Sequence, residues 1–174
     1  VLLDHISLRD LSINSVQAYR RQIGIIFQNY RLLPQKTAFE NIAFALEVCG
    51  KSHEVARKVP EVLELVGLQG KENKFPRELS GGEQQRICIA RALIHDPKIL
   101  IADEATGNLD PFNSREIADI FARINQERGL TILFATHDPV LVERLAPRVI
   151  RLEKGEIEFD LQKCSVDQAF VGIL

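Results

Sequence analysis

The sequence lacks an excess of charge, a membrane-length apolar run and any cysteine spacing typical of a metal site. Its 22 basic and 24 acidic residues leave a formal net charge of −2, which gives no sign of the basic surface that nucleic-acid-binding proteins use. No apolar stretch approaches the roughly 20 residues of a membrane-spanning helix, and no signal peptide is recognisable. We therefore expect a soluble, cytoplasmic protein that contacts a membrane only through a partner.

Methionine is also absent, and cysteine is rare. Cys49, Cys88 and Cys164 are an odd number of cysteines without metal-ligand spacing, which is more typical of reduced, buried thiols than of disulfides. The chain begins with Val1 in the middle of an apolar pattern, so we expect it to be an excerpt of a longer sequence. Its 174 residues with 45% hydrophobic content predict one domain with a sizeable core.

The segment LSGGEQQR at residues 79–86 has the features of an anion-binding helix start. Ser80 and Glu83 have the spacing of a capping box, which predicts a helix with free backbone N–H groups at its N-terminus. Gly81 and Gly82 allow another molecule to approach the backbone closely, and such helix ends commonly bind phosphate. Taken alone, the segment fits an ordinary capped helix equally well.

A second informative segment follows at residues 99–104. Its four apolar residues are followed directly by two carboxylates, Asp103 and Glu104. The apolar run is typical of a strand buried on both faces of a parallel sheet, and open sheets of this kind bind ligands at the carboxyl ends of their strands. For either carboxylate alone, a strand that simply ends in solvent is the commoner arrangement.

In combination, the two segments resemble the signature and Walker B motifs of the ATP-binding cassette (ABC) ATPases. The resemblance implies an α/β fold, a P-loop NTPase (RecA-like) core with an inserted α-helical subdomain, truncated at the N-terminus. It divides the chain into four parts. Residues 1–34 are the N-terminal part of the core, which ends in the Q-loop, and residues 35–96 are a helical subdomain with the signature. Residues 97–160 are the rest of the core, with Walker B, D-loop and switch histidine, and residues 161–174 are a tail.

Apolar runs and capping patterns predict the elements around these motifs. Buried strands are predicted at residues 23–27, 99–102 and 131–136, and helices are predicted to begin at Thr37, Ser80 and Asp110. Residues 1–8 suggest an edge strand, Asn14 a polar connection, and residues 148–152 and 156–159 a hairpin. The helical spacing of apolar residues from about residue 53 to 68 predicts a further helix, which Pro60 should kink or divide into two segments.

Four polar residues each follow a predicted parallel strand: Gln28, Asp103, Glu104 and His137. Because the carboxyl ends of parallel strands meet at one edge of a sheet, these side chains should converge there. The resemblance implies that Asp103 and the Q-loop Gln28 hold Mg²⁺, that Glu104 is the general base acting on water, and that the switch residue His137 contacts the γ-phosphate of ATP. The alternative for His137 is a histidine that only caps the following turn.

The resemblance also implies a head-to-tail dimer with a second ABC ATPase subunit. Ser80, Gly81, Gly82 and Glu83 would then bind nucleotide held by the other subunit, and Asp110, in the D-loop, would lie across the interface.

The sequence contains no G-x-x-x-x-G-K-[ST] motif, the P-loop whose backbone and lysine hold the phosphates. In the family this motif precedes the segment with which the chain begins. We therefore expect the 174-residue chain by itself to bind ATP very weakly or not at all. Calorimetric titration with ATP is the measurement, and a micromolar affinity would contradict the expectation.

Within the family, residues 27–34, 40–46 and 148–152 are most similar to the cell-division ATPases, which act at the cytoplasmic face of the membrane with an integral membrane partner. The family's surface after the Q-loop, here residues 29–34, receives a coupling helix of that partner; a loop packed on the next helix is the alternative.

Other functions remain open at this point. Lipoprotein-releasing and macrolide-exporting ATPases share residues 106–110. A non-hydrolysing partner that lacks its own P-loop is another hypothesis. A soluble DNA-repair or translation factor fits poorly, because the chain has neither a basic stripe nor a second cassette.

Overall fold

The structure, a computed structural model, describes residues 2–3, 6–7, 12–145, 148–162 and 170–173. The strands are β1 Leu2–Leu3, β2 Ile6–Ser7, β3 Ile23–Ile26, β4 Ile99–Asp103, β5 Thr131–Ala135, β6 Arg148–Glu153, β7 Glu156–Gln162 and β8 Phe170–Ile173. The α-helices are α1 Ile13–Arg20, α2 Ala38–Val48, α3 Val55–Leu65, α4 Gly81–Leu93, α5 Pro111–Arg128 and α6 Pro139–Leu145, and short 3₁₀ turns cover Ser52–Glu54 and Pro76–Glu78.

Among the described residues, six strands form the main sheet, in the order β3-β4-β5-β8-β6-β7. The first five of these are parallel to their neighbours, and β7 is antiparallel to β6. The strands predicted at residues 23–27, 99–102 and 131–136 are therefore confirmed, and so is the hairpin at 148–159. Their predicted burial on both faces is wrong for the described residues, because alternate residues of β4 and β5 are only half-buried and Ile25 of β3 is 44% exposed. Since β3, β4 and β5 are parallel neighbours, their carboxyl ends lie side by side.

One face of this sheet forms the first part of the core. Leu100, Ala102, Ile132 and Phe134 are buried on that face. Phe121 of α5 packs edge-to-face on Phe134, with ring centroids 4.9 Å apart, an arrangement that aromatic pairs favour. Helix α5 is thereby held beneath the two strands that lead to the candidate site.

A second part of the core joins α2, α3 and α4. Each helix contributes fully buried aliphatic side chains, among them Ile42, Leu46, Val59, Leu63 and Leu93. These positions recur at helical spacing, so each helix turns an apolar stripe toward its neighbours. No helix in the described part of the chain combines the length and apolar character needed to cross a membrane.

The predicted helix starts are confirmed by their capping geometry. The Thr37 hydroxyl accepts a hydrogen bond from the Glu40 N–H at 3.2 Å, and the Glu40 carboxylate accepts one from the Thr37 N–H at 2.7 Å. Asp110 caps α5 by accepting from the backbone of Phe112 and Asn113 at 2.9 and 3.0 Å. These local bonds satisfy N–H groups that the first helical turn leaves unpaired.

Two N-terminal predictions were wrong. Strands β1 and β2 pair with each other in a separate two-stranded sheet, so residues 1–8 do not form one edge strand. The prediction was wrong because alternation of apolar residues indicates a strand but not the strand with which it pairs. Asn14 lies inside α1 and is not part of a polar connection. The Ser12 hydroxyl caps that helix by accepting from the Ser15 N–H at 3.2 Å. Serine is common both at helix caps and in loops, so the sequence alone did not distinguish the two.

Pro60 does not divide its helix: α3 is one helix with Pro60 inside it. The interruption between α2 and α3 lies before Pro60, at the 3₁₀ turn Ser52–Glu54, and the predicted kink at Pro60 stays a prediction. Val59, Val62 and Leu63 are all buried, and this packing outweighs the hydrogen bond that proline cannot donate.

The stretch expected to be a tail contains sheet structure. Residues 161 and 162 complete β7, and β8 lies between β5 and β6, where Leu133 is paired with Val171 and Val149 with Gly172. A four-residue apolar run carries no information about its neighbours in a sheet, so the sequence could not place it.

Two of the three cysteines lie within the described residues, and both are free thiols. Cys88 is buried and Cys49 is half-buried, so only the first fully matches the expectation; Cys164 lies outside the described residues. Burial raises the pKa of the Cys88 thiol to about 12, so it stays protonated at neutral pH.

Candidate functional site

The candidate site lies at the carboxyl ends of β3, β4 and β5. Asp103 is the last residue of β4 and is paired with Ala135 of β5. Glu104 follows it, and its Oε1 lies 2.8 Å from His137 Nδ1. Gln28 follows β3 and is exposed. The expected convergence at one sheet edge is thus observed, while the chemical roles of these residues stay predictions.

Glu104 has the most constrained geometry in the site. Its backbone lies in the left-handed region, with φ 49°, where a residue with a Cβ is disfavoured. Its N–H donates to the Ala135 carbonyl at 2.8 Å, which holds that conformation. Its Oε2 is buried and has no hydrogen-bond partner among the described residues. A buried carboxylate oxygen without a partner is costly, so Glu104 presents an acceptor that is free to bind a ligand or water.

Gly107 explains how the loop after β4 fits against this carboxylate. A Cβ at Gly107 would lie 3.2 Å from Glu104 Oε2 and 3.5 Å from Gln28 Nε2. Next to it, the Asn108 side-chain amide donates to the Gln28 carbonyl at 3.1 Å. The loop after β4 therefore holds the start of the loop after β3 and brings the Gln28 and Glu104 side chains to one place.

A partly buried hydrogen bond joins this loop to the one after β5. The Thr106 hydroxyl donates to Asp138 at 2.6 Å, and the Asp138 N–H donates to the Thr136 hydroxyl at 3.0 Å. His137 lies between these two anchored residues, so its backbone position is tied to the Glu104 loop. Sequence reasoning missed Thr106 because its role depends on which two loops meet.

The Glu104 carboxylate raises the pKa of His137, first through the hydrogen bond and then through charge attraction. We expect Glu104→Gln to return that pKa toward its ordinary value, as followed by the NMR titration of the His137 ring protons. Because the folded-state pKa is the higher one, the pair stabilises the fold below about pH 6.5, and this contribution is lost as the pH rises through the folded-state pKa. Glu127→Gln, on the exposed side of α5, is the control; an equal shift in both variants would contradict the assignment.

The second part of the site is the N-terminus of α4. The Ser80 hydroxyl accepts from the Glu83 N–H at 3.2 Å, and the Glu83 carboxylate accepts from the Ser80 N–H at 2.8 Å. Lys71 adds an ion pair with Glu83 at 3.1 Å, and the Ser80 N–H is the main cause of the lowered pKa of Glu83. The predicted capping box is confirmed. The Glu83 carboxylate contacts Ser80 and Lys71 of the same chain, and its role in nucleotide binding stays a prediction.

Side chains from elsewhere in the same chain pack closely against the two glycines at the start of α4. A Cβ at Gly82 would lie 2.5 Å from Asn113 Oδ1, and one at Gly81 would lie 3.2 Å from the Tyr30 hydroxyl. Asn113 also donates to Asp110 Oδ2 at 2.5 Å. Hydrogen bonds from Asn113 are the largest cause of the lowered pKa of Asp110. Asp110 therefore serves within this chain as a helix cap tied to α4, and its place at a dimer interface stays a prediction.

A partial phosphate-loop pattern in the sequence has another role. Residues 50–52 read Gly-Lys-Ser, but they follow helix α2 and not a strand. Gly50 has φ 75°, and the Lys51 N–H donates to the Leu46 carbonyl at 2.9 Å, which is the geometry of a helix C-terminus. These residues close α2 and do not form a loop that opens a helix toward phosphate.

The donor set at the sheet edge fits a partly protein-bound magnesium ion. No group of three or more His, Cys, Asp or Glu side chains that could hold a metal occurs within the described residues. Mg²⁺ usually takes only one or two protein carboxylates and fills its other positions with water and phosphate oxygens. The exposed Asp103 and Gln28 provide oxygen donors of that kind.

Comparison with known proteins identifies relatives of the chain. The sequence profile of the ABC transporter family matches residues 1–107. The chain is 55% identical over 149 residues to the cell division ATP-binding protein FtsE of Streptococcus pneumoniae, covering 85% of this chain and 64% of that protein. It therefore spans less than two thirds of the length of that relative.

Two solved structures have a similar fold. The dimeric ATP-binding cassette MJ0796, in a post-hydrolysis state bound to ADP and Pi, has a TM-score of 0.80 at 33% identity over 94% of this chain and 73% of that one. CbiO1 of Clostridium perfringens, part of the ABC transporter complex cbiONQ, has a TM-score of 0.84 at 30% identity over 93% and 65%. The α/β fold expected for a P-loop NTPase core is thereby confirmed.

Proposed function

The chain belongs to the ABC transporter family, and we propose that the protein is the ATP-binding and hydrolysing subunit of a membrane ABC complex. In the form we favour, it is an FtsE-like cell-division ATPase that couples ATP hydrolysis to an FtsX-like integral membrane partner at the cytoplasmic face of the membrane. The relative named FtsE, at 55% identity, supports this choice over the lipoprotein-releasing and macrolide-exporting ATPases.

The observation that carries the proposal is the arrangement around Glu104. One oxygen of its carboxylate contacts His137 at 2.8 Å, and the other is buried without a partner among the described residues. Asp103 directly precedes it at the end of β4, and Gln28 follows β3, the parallel neighbour of β4. A carboxylate with one oxygen held and the other free is suited to orient a water and accept its proton.

The chain's own residues would divide the work of hydrolysis. ATP bound with Mg²⁺ supplies the phosphoryl group whose transfer to water is catalysed. Asp103 and Gln28 would hold the metal ion, and Glu104 would take the proton of the attacking water through Oε2. His137 holds Glu104 Oε1 and so fixes the orientation of that carboxylate.

We propose a head-to-tail dimer as the working form. The α4 N-terminus at residues 80–82 would bind phosphate of the nucleotide held by the other subunit, since helix N-termini favour anions. Residues 107–110 run from Glu104 to the cap of α5 and thus connect the two half-sites within one chain. The similar cassette MJ0796 is described as dimeric, and CbiO1 as part of a membrane transporter complex.

A second candidate is a non-hydrolysing partner; these 174 residues contain no P-loop motif, and a whole protein without one could not hold the phosphates of ATP in a site of its own. Such a chain would contribute residues 80–82 and Asp110 to the P-loop of another subunit.

The test is phosphate release from ATP by the protein produced from its whole gene, with Mg²⁺, alone and with its co-expressed FtsX-like subunit. We expect hydrolysis that depends on Mg²⁺. Absence of hydrolysis in both preparations, with activity appearing only after an unrelated ATPase subunit is added, would overturn the hydrolysing role and support the second candidate.

A further inference from the structure

The loop after β3 contains two consecutive residues in an unfavourable backbone conformation. Tyr30 and Arg31 have φ 49° and 51°, values that residues with a Cβ rarely adopt. Such a turn persists only where its surroundings hold it. The contacts that hold this one therefore determine where the loop, including Gln28, lies.

Helix α4 supplies these contacts through two side chains. Arg91 donates from one terminal nitrogen to the Arg31 carbonyl at 2.6 Å and from the other to the Tyr30 carbonyl at 2.7 Å. The Cys88 thiol donates to the Tyr30 carbonyl at 3.1 Å, and it remains a donor at neutral pH because burial keeps it protonated. Three hydrogen bonds from one helix thus fix two successive carbonyls.

The same turn also reaches the N-terminus of α4. The Tyr30 hydroxyl lies so close to Gly81 that a Cβ there would be 3.2 Å from it. On its other side the loop is held where Asn108 donates to the Gln28 carbonyl at 3.1 Å. Gln28 is therefore anchored between the loop after β4 and the body of α4.

We propose that Arg91 is a positioning residue that holds the turn at Tyr30 and Arg31 against α4 and so couples the position of Gln28 to that of residues 80–82. The inference deepens the proposed function and rests on it for the roles of Gln28 and the α4 N-terminus. The hold itself depends only on the contacts within the chain.

Arginine is required because the two carbonyls are contacted by two nitrogens of one planar group. A guanidinium offers several N–H donors in a fixed fork, whereas the lysine ammonium is a single nitrogen on a flexible stem. Arg91→Lys keeps the charge and loses the fork. It is therefore the sharpest variant, and Cys88→Ala, which removes one donor to Tyr30, is a milder second one.

Hydrogen exchange tests the hold in the 174-residue chain. We expect Arg91→Lys to speed amide exchange over residues 28–33 about tenfold, because the loop opens more often when charge-assisted bonds are lost. Cys88→Ala should give a smaller increase, and the exposed Arg123→Lys should give none. Amide exchange over residues 99–103 in β4 shows whether each variant is folded, and it should be the same in all three variants as in the unaltered protein. Unchanged exchange over residues 28–33 in a folded Arg91→Lys chain would overturn the proposal.

Tyrosine fluorescence gives a second readout that does not depend on exchange. The chain has no tryptophan and two tyrosines, Tyr19 and Tyr30, so a Tyr19→Phe background leaves Tyr30 as the reporter. In that background Arg91→Lys should raise the acrylamide quenching constant about twofold as the half-buried ring leaves α4. An equal quenching constant would contradict the hold.

Kinetics of the protein from its whole gene then tests the coupling. Arg91→Lys should lower kcat for ATP about tenfold and leave KM within about twofold, as expected when catalytic groups are misplaced but binding is intact. A changed loop with unchanged kcat would overturn the coupling. If the unaltered protein does not hydrolyse ATP, the proposed function fails, while exchange and fluorescence still decide the hold.

Discussion

Replacing Glu104 by glutamine is expected to lower ATP hydrolysis by the protein from its whole gene about 10²–10⁴-fold, the range typical of a lost general base. The amide has nearly the size of the carboxylate, so the site should keep its shape. It cannot accept a proton at the position of Oε2, the buried oxygen that has no partner among the described residues. Steady-state phosphate release, compared with ATP binding to the same variant, is the measurement.

Glu127→Gln is the matched control, since it makes the same chemical change at an exposed position of α5. It should leave the rate unchanged, and both variants should bind ATP as the unaltered protein does. A loss of less than tenfold in Glu104→Gln, or an equal loss in the control, would show that Glu104 is not the base.

Phe121→Ala is expected to lower the free energy of unfolding by about 3–5 kcal/mol, the usual cost of truncating a fully buried aromatic side chain. Phe121 is 0% exposed and packs edge-to-face on Phe134 at 4.9 Å. The variant would leave a cavity between α5 and β5, the strand that leads to His137. Denaturant unfolding of the 174-residue chain, followed by circular dichroism, measures the change.

Phe112 offers a control on the same helix, because its side chain is 68% exposed. Phe112→Ala should change the unfolding free energy by no more than about 0.5 kcal/mol, as surface substitutions usually do. Similar losses in the two variants would mean that burial beneath the sheet is not what stabilises α5.

Local patterns predicted much of the fold. Capping at Thr37, Ser80 and Asp110 involves residues two or three apart in sequence, so neighbouring residues alone decide it. The central parallel strands were recognised because parallel strands are nearly continuous apolar runs, although the structure fully buries only alternate residues of β4 and β5. The division of a helix at Pro60 and the tail at residues 161–174 were predicted wrongly, because these features depend on packing and on pairing with distant residues.

The candidate site was predicted to a similar extent. Gln28, Glu104 and His137 could be brought together from the sequence because parallel strands align their carboxyl ends. The residues that hold them, Asn108 and Arg91, gave no signal. Asn108 contacts a carbonyl 80 positions away, and no local periodicity reports such a contact.

The sequence by itself determined the family, the helix starts and the strand ends where the polar side chains lie. All of these depend on short motifs and on the spacing of apolar residues along the chain. Only the tertiary structure decided that the two carboxylate oxygens of Glu104 differ, one held by His137 and one without a hydrogen-bond partner in the part of the chain that the structure describes. It alone also decided that α4 holds the turn at Tyr30 and Arg31. The physical reason is that these properties arise from close approach between loops and helices far apart in the chain, where distances of a few ångströms decide which hydrogen bonds form.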